Sequence, residues 1–196
     1  MSWTIVIQAG GESRRMGQNK ALLPFHGQPL IERVVKRLKS TADELILIAN
    51  RPELYQFLGL PIFPDLIPGK GALGGLYTAL GTAHFPLVAV VACDMPFINP
   101  ELLAAERAFL VQGDWDVAIP RSDEGLEPLH AVYRKDVCLP PILKALEEDR
   151  LRMTSWFSDV KVREVSLDEV ALYDPEFLSF MNVNTPEEFT QAERLE

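Results

Sequence analysis

Hydrophobic runs of strand length alternate along the chain with segments whose apolar residues recur at helical spacing. The runs, each of which predicts a β-strand, lie at residues 4–8, 44–49, 61–63, 87–92 and 115–120. One predicted helix carries an apolar stripe at Ile31, Val34, Val35 and Leu38. A second helix is predicted after the start signal Asn99-Pro100-Glu101. Strands that alternate with helices are typical of a parallel sheet.

The run at 87–92 contains no polar residue, which is expected of a central strand covered by helices on both faces. We therefore predict an α/β fold, a three-layer sandwich with a mostly parallel central sheet. The later part of the chain is less regular, with strands predicted at 128–133 and 160–165 and a helix at 141–148.

A C-terminal helix is predicted to begin at Pro186, because Thr185 is a suitable N-cap and Glu188 completes a capping box. No repeat or Ser/Gly-rich linker interrupts the pattern. We expect residues 1–196 to form a single domain.

Composition excludes several classes of protein. Of the 196 residues 47% are hydrophobic, which is enough for a full core, and the two cysteines suggest neither a disulfide framework nor a zinc site. No basic leader precedes the first strand, and the run at 87–93 is too short to cross a bilayer. We expect a soluble, cytoplasmic protein that does not bind membranes.

The net charge of −9 argues against nucleic acid as a partner. The charge is unevenly distributed, however. Residues 1–40 hold 7 Lys and Arg against 2 Asp and Glu, a local charge of +5, so the N-terminal segment is suited to an anionic ligand.

The loop after the first strand reads Gln-Ala-Gly-Gly-Glu-Ser-Arg-Arg-Met-Gly-Gln-Asn-Lys at 8–20. Its glycines allow backbone N–H groups to approach a ligand, and Arg14, Arg15 and Lys20 add positive charge. The loop has neither the Walker A nor the GxGxxG spacing. A glycine turn with solvated arginines is the simpler interpretation, but Gly17, Lys20 and the position after a strand favour a phosphate cradle.

Two other loops follow predicted strands. Asp94, in Cys93-Asp94-Met95-Pro96, ends a buried strand, so it is either a turn-forming residue or a ligand of Mg²⁺. Because a phosphate cradle is predicted at the neighbouring strand end, we interpret Asp94 as a ligand of Mg²⁺. In the loop at 64–75 Asp65 is either an ordinary turn residue or an acceptor for a base or ribose, and the length of the loop favours ligand contact.

Three further residues have weaker assignments. His130 lies alone among strand residues, so we interpret it as a structural histidine with its hydrogen bonds satisfied. Asn182 and Asn184 precede the C-terminal helix, where they are partly explained as turn residues. Their alternate spacing nevertheless points both amides the same way if the segment is extended.

Four motifs in order along the chain resemble the MobA family, the molybdenum cofactor guanylyltransferases of the nucleotidyltransferase group. They are the loop at 8–23, Leu-Gly-Gly-Leu at 73–76, Cys-Asp-Met-Pro at 93–96 and Asn-Val-Asn-Thr-Pro-Glu-Glu at 182–188. The resemblance implies a Rossmann-like domain that joins GTP to the phosphate of molybdopterin carrying molybdenum, releasing pyrophosphate. It also implies brief contacts with proteins that deliver or accept the cofactor.

The resemblance also implies roles for individual residues. Contacts with the nucleotide are implied for Gln8, Ala9, Gly10, Gly11, Lys20 and Asp65. Asp94 is implied as a GTP contact that holds magnesium, and Asn182 and Asn184 match asparagines near the pterin. The family more often has Leu where this chain has Gln8, and Gly-Pro-Leu where it has Gly-Ala-Leu at 71–73. A related cytidylyltransferase, acting on molybdopterin or on a sugar or polyol phosphate, is the alternative activity.

The residues support this chemistry independently. Transfer of a nucleotidyl group to a phosphate needs positioning, a metal and cations, and no nucleophilic side chain, because the acceptor is already an anion. We expect Arg15 and Lys20 to be catalytic, stabilising the charge that develops on the leaving pyrophosphate.

Overall fold

The computed structural model describes residues 1–10 and 19–195. Its α-helices are α1 Leu30–Leu38, α2 Gly71–Thr82, α3 Pro100–Gln112, α4 Lys135–Glu147, α5 Leu167–Ala171 and α6 Pro186–Glu193. Its strands are β1 Trp3–Gln8, β2 Pro24–Phe25, β3 Gln28–Pro29, β4 Glu44–Ile48, β5 Ile62–Phe63, β6 Leu87–Ala92, β7 Val117–Ser122, β8 Gly125–Leu126, β9 His130–Arg134 and β10 Val162–Val165. Short 3₁₀ turns occur at Lys20–Leu22, Pro52–Leu54, Gln56–Leu58, Phe157–Asp159 and Leu178–Phe180.

The central sheet has the strand order β10-β7-β9-β6-β1-β4-β5, with β8 paired to β7. Parallel pairing joins β1 to β4 and β6, β4 to β5, and β7 to β10. Strand β9 runs antiparallel to both of its neighbours. Only residues 123–129 separate it from β7, too few for the crossover that a parallel pair requires. The expected mostly parallel sheet is confirmed.

Helices cover both faces of the sheet. On one face Ile5 and Ile7 of β1 pack with Ile31 of α1 and Leu103 of α3. On the other face the alternate residue Val6 packs in a second core that includes α2 and α4, represented by Leu73, Leu76 and Ile142. This two-sided burial explains the uninterrupted apolar sequence of β6, and it confirms the three-layer arrangement.

The local signals at two helix starts are also found in the structure. Asn99 caps α3 by accepting from the backbone N–H groups of Glu101 and Leu102. Thr185 caps α6 and forms the complete capping box with Glu188. Both helices therefore begin where the sequence predicts.

Helix α4 begins at Lys135, six residues before the predicted start at 141. Pro140 and Pro141 lie inside it, although proline normally favours a helix start. The buried face of α4, which includes Cys138, Ile142 and Ala145, outweighs that local preference. In the described residues no helix has both the length and the hydrophobicity needed to span a bilayer.

Strand order reverses at β1. The chain adds β4 and β5 on one side of β1 and then returns to place β6 on the other side. At such a point the loops that follow the two neighbouring strands diverge and leave a crevice at the carboxyl edge of the sheet. The segments after β1 and β6 therefore flank this crevice.

Candidate functional site

A cleft opens where β1 and β6 end. Its lining comes from four regions of the chain: the end of β1 with the segment that follows, the first turn of α2, the end of β6, and the residue before β9. The lining residues are Gln8, Ala9, Gly10, Asn19, Lys20, Ala21, Ala72, Ala92, Cys93, Asp94 and Leu129. Of the predicted site residues, Gln8, Ala9, Gly10, Lys20 and Asp94 are thus brought together. Gly11 and Arg15, like Arg14 and Gly17, lie outside the described residues.

Lys20 is held in place by the residue before it. Asn19 accepts a hydrogen bond from the N–H of Ala21 at 3.2 Å, and its side-chain amide donates to the Tyr55 hydroxyl at 2.7 Å. Burial raises the pKa of Tyr55, so the phenol stays neutral near physiological pH. Asn19 and Tyr55 were not singled out from the sequence, because neither carries a recognisable motif on its own.

The Lys20 ammonium joins two other predicted residues. Its Nζ lies 2.9 Å from Oδ2 of Asp94 and 2.5 Å from Oδ1 of Asn184. The side chains of Lys20 and Asp94 are 20% and 15% exposed, so the pair sits at the floor of the cleft, close to water. Asp94 and Asn184, which are 74 and 164 positions from Lys20 in the sequence, therefore both contact its ammonium group.

The segment before α6 is attached to the end of β6. The N–H of Val183 donates to the carbonyl of Asp94 at 3.0 Å. The N–H of Asn184 donates to Oε2 of Glu188 in the first turn of α6, so the start of the helix positions this asparagine. Asn182 instead donates its amide to the carbonyl of Phe180 at 3.1 Å. The two predicted asparagines thus have different partners, and Asn184 is the one that contacts Lys20.

Asp65 lies outside the lining of the cleft, after the neighbouring strand β5. It forms a reciprocal pair with Asn50, which follows β4. The Asn50 amide donates to Oδ2 of Asp65 at 2.7 Å, and the N–H of Asp65 donates to Oδ1 of Asn50 at 2.9 Å. Sequence reasoning missed Asn50, although its place directly after a predicted parallel strand was an available signal.

Gln8 and Ala9 are anchored to neighbouring elements. The N–H of Ala9 donates to the carbonyl of Ile48 at 2.8 Å, and the carbonyl of Gln8 accepts from the N–H of Cys93 at 3.2 Å. The side-chain Nε2 of Gln8 donates to the carbonyl of Ala72 in α2 at 3.1 Å. Gln8 therefore connects the end of β1 to the end of β6 and to the first turn of α2.

Two further side chains, those of Cys93 and His130, have buried surroundings. Burial raises the pKa of Cys93 to about 12, so its thiol is protonated and a poor nucleophile. His130 is fully buried, with Nδ1 3.0 Å from Oε1 of Glu106, which is itself fully buried. Within the described part of the chain this contact is an ion-pair distance, and neither ring nitrogen has a hydrogen-bond partner, so the expectation that the hydrogen bonds of His130 are satisfied is wrong.

The donor set at the cleft fits a magnesium nucleotide. The described residues contain no group of three or more His, Cys, Asp or Glu side chains that would enclose a metal. Magnesium bound with a nucleotide commonly uses one or two carboxylates and takes its other ligands from phosphate and water. The single carboxylate of Asp94, beside one ammonium group, matches that chemistry.

Comparison with known proteins gives a consistent result. The family model of the MobA-like NTP transferase domain matches residues 5–162. A relative from Pelotomaculum thermopropionicum, named probable molybdenum cofactor guanylyltransferase, is 44% identical over 96% of this chain and 91% of that protein. A molybdenum cofactor guanylyltransferase from Desulfosudis oleivorans is 35% identical over 97% of this chain and 94% of that protein.

Solved structures agree on the fold. Molybdopterin-guanine dinucleotide biosynthesis protein A from Archaeoglobus fulgidus superposes with a TM-score of 0.85 at 26% identity, covering 98% of this chain and 97% of that one. A 2-C-methyl-D-erythritol 4-phosphate cytidylyltransferase from Thermus thermophilus has a TM-score of 0.70 at 18% identity, covering 100% and 98%. At that lower identity the likeness extends to the fold alone.

Proposed function

The chain belongs to the MobA-like NTP transferase family, and from that premise we propose that it transfers GMP from GTP to the phosphate of molybdopterin carrying molybdenum. The products are the guanine dinucleotide form of the cofactor and pyrophosphate. The observation that carries the proposal is the convergence of Lys20, Asp94 and Asn184 on one side of the cleft, where a nucleotide and a second phosphate ester have to meet.

In the proposed reaction an oxygen of the acceptor phosphate attacks the α-phosphorus of GTP. The bond between that phosphorus and the bridging oxygen breaks, and pyrophosphate leaves. No side chain has to act as a nucleophile, which agrees with the protonated thiol of Cys93. The protein contributes position and charge.

Lys20 is proposed to neutralise the phosphates. Its ammonium is paired with Asp94, so each charge compensates the other at the floor of the cleft. Nucleotide binding is proposed to move Lys20 from the carboxylate to the phosphates, where it stabilises the leaving pyrophosphate. Arg15 is assigned the same task from its place in the loop after β1.

Asp94 is the residue proposed to hold Mg²⁺. When bound, the metal supplies Lewis-acid polarisation of phosphate oxygens and neutralises their charge. Gln8, Ala9 and Gly10, with Gly11, are proposed to border the nucleotide. Asp65, fixed by Asn50, is proposed to face its base or ribose.

Asn184 and Asn182 are assigned to the acceptor side. Asn184 lies beyond the part matched by the family model, yet it contacts Lys20. That contact supports our proposal that residues 1–196 act as one domain. The cytoplasm is the proposed location, and transient contacts with proteins that deliver or accept the cofactor are proposed as well.

The experiment is the isolation of the product. Purified protein is incubated with molybdopterin carrying molybdenum, Mg²⁺ and GTP, and the pterin is then released and identified by mass. A product one GMP heavier, absent when magnesium is chelated, supports the proposal. A CMP adduct formed with CTP and none with GTP rejects it in favour of a cytidylyltransferase.

A further inference from the structure

A small core lies apart from the two large ones that cover the faces of the sheet. It joins the hairpin that follows Lys20, the segment after β6 that contains Asp94, and the helix that follows Asn184. Its buried members are Phe25, Leu30, Phe97, Val183, Phe189 and Ala192. The packing of this small core therefore determines how the three polar residues of the site are placed relative to one another.

Arg33 of α1 contacts two parts of the small core. Its guanidinium carbon lies 5.2 Å from the centroid of the Phe25 ring and 5.5 Å from that of the Phe97 ring. Both distances are in the range of a cation–π contact. Its Nε also donates to the carbonyl of Pro96 at 2.7 Å. One side chain therefore connects the hairpin to the segment after β6.

The segment after β6 depends on such contacts, because it forms neither helix nor strand while residues 95–98 are buried. Buried backbone carbonyls are nearly always paired in native proteins. Helix α1 supplies a donor to two of them. Arg33 donates to Pro96, and Nε of Arg37 donates to the carbonyl of Ile98 at 2.8 Å. The two arginines are four residues apart, so they lie on the same face of α1.

Helix α1 is held in the domain by other residues. Its apolar stripe, which includes Ile31, Val34 and Leu38, is buried in the large core beneath β1. Loss of the Arg33 guanidinium should therefore leave the helix in place and release mainly the segment after β6. A residue with this arrangement of contacts affects the geometry of the site more than the stability of the fold.

We propose that Arg33 is a positioning residue for nucleotidyl transfer, which fixes the segment after β6 so that the Asp94 carboxylate can bind the metal beside Lys20. The role rests on the proposed function and adds to it a residue that lies outside the lining of the cleft. Arginine suits this task because one planar group can donate to a carbonyl and stack on aromatic rings at the same time, which a lysine ammonium cannot do equally well.

The test compares Arg33→Met with Arg107→Met. Arg107 of α3 makes similar contacts at the other end of β1. Its guanidinium carbon lies 4.8 Å from the centroid of the Trp3 ring, and its Nη1 donates to the carbonyl of Met1 at 3.5 Å. Both variants should lower the thermal midpoint by about 2–4 °C, because each loses contacts of the same kind.

Only Arg33→Met should weaken metal binding. The probe is Mn²⁺, which prefers the same oxygen ligands as Mg²⁺, and EPR measures free Mn²⁺ with the full chain and GTP, without acceptor. The affinity for Mn²⁺ should fall about tenfold in Arg33→Met and stay within about twofold of wild type in Arg107→Met. With acceptor and Mg²⁺, kcat of Arg33→Met should fall by a similar factor, and KM for GTP should change less.

Two further variants show how Arg33 acts. Arg33→Lys keeps the charge and loses the planar fork, so its affinity for Mn²⁺ should lie between those of wild type and Arg33→Met. Arg33→Met is also combined with Asp94→Asn. If Arg33 acts through Asp94, the second substitution should lower the remaining rate by less than about twofold, because the two effects are not additive.

The outcomes separate the two proposals. Unchanged affinity for Mn²⁺ in folded Arg33→Met overturns the role of Arg33, as does an equal loss in Arg107→Met or a full tenfold loss of rate on top of Asp94→Asn. If Arg33→Met does not fold, Arg33→Lys decides in the same way. A wild type that transfers CMP and not GMP overturns guanylyl transfer alone, and the same measurements with CTP then decide the role of Arg33. A wild type that transfers no nucleotide overturns both.

Discussion

Lys20 and Asp94 form an ion pair at the carboxyl edge of the sheet, where both side chains still reach water, whereas Glu106 and His130 meet between α3 and β9 with no exposure at all. The distances are similar, 2.9 Å in the first pair and 3.0 Å in the second. The surroundings differ. One pair lines a cleft, and the other is covered by Phe180, whose ring packs edge-on against His130 at 5.1 Å.

The difference in exposure to water indicates different roles for the two pairs. A pair near water can exchange partners at little cost, because solvent and ligand phosphates replace the lost contact. A fully buried pair has no replacement partner, so removal of one member leaves an uncompensated polar group. The edge pair, Lys20 and Asp94, is therefore suited to binding substrate. The buried pair, Glu106 and His130, is suited to stabilising the domain. The predictions below separate the two by asking which variants lose activity and which lose stability.

The largest effect is expected from Asp94→Asn. Replacing the carboxylate by an amide should lower the rate of pyrophosphate release by about 10²–10³-fold, because the proposed metal ligand is lost. The thermal midpoint should change little, since the side chain is close to water. The matched control is Asp149→Asn, which breaks the 2.9 Å ion pair of Asp149 with Lys70 and should keep the wild-type rate. Equal rates in the two variants would contradict the assignment.

Lys20→Met is expected to have the second largest effect, lowering the rate of pyrophosphate release by about 10²-fold. The loss should appear in kcat more than in KM for GTP, because the ammonium acts on charge that grows as pyrophosphate leaves. Steady-state kinetics on the variant and on Lys36→Met, an exposed lysine paired with Glu32, provide the comparison. A Lys20→Met enzyme with unchanged kcat would show that the edge pair has only a structural task.

Asn184→Ala should have a smaller effect. It removes the side-chain oxygen that accepts from Lys20, and a hydrogen bond to a charged group corresponds to about a tenfold effect or more. We expect KM for molybdopterin to rise about tenfold while the affinity for GTP stays within about twofold. A loss confined to GTP would move Asn184 to the nucleotide side of the site.

The buried pair should affect stability and leave nucleotide binding unchanged. Burial raises the pKa of Glu106 above its ordinary value of 4.5, and the nearby His130 partly offsets that shift. The folded protein thus keeps the proton of Glu106 to a higher pH than the unfolded chain does. The stability that this proton contributes is complete below about pH 4.5 and is lost as pH rises through the folded pKa.

Glu106→Gln cannot titrate, so it should lack this decline. Urea unfolding of wild type and variant between acidic and neutral pH measures the difference in slope. Calorimetry with GTP should give the same affinity for both proteins. If Glu106→Gln weakened GTP as strongly as Lys20→Met does, the contrast between the two pairs would fail.

The elements that can be predicted from the sequence are those with strong local signals. The apolar stripe of α1 is buried as expected, and the caps of α3 and α6 act on the predicted residues. The hairpin of β2 and β3 was missed, because two-residue strands carry no periodic pattern. The start of α4 was misplaced because tertiary burial outweighed two prolines.

For the site, the rule that ligands bind after parallel strands selected Asp94, Asp65 and the segment around Lys20 without any structure. The partners of these residues were less accessible. Asn50 forms two hydrogen bonds with Asp65, and Tyr55 accepts one from Asn19. The place of Asn50 after a predicted strand was a signal, but nothing in the local sequence identifies its partner or marks Tyr55. The pairing of Glu106 with His130 depends on α3 crossing β9, which only the assembled fold reveals.

The most direct test of guanylyl transfer is pyrophosphate release in the presence of molybdopterin carrying molybdenum and Mg²⁺, with GTP, CTP, ATP and UTP supplied one at a time. The account predicts release with GTP that requires the acceptor and is lost in Asp94→Asn. Release with CTP and not with GTP, or release from Asp94→Asn at the wild-type rate, would contradict it.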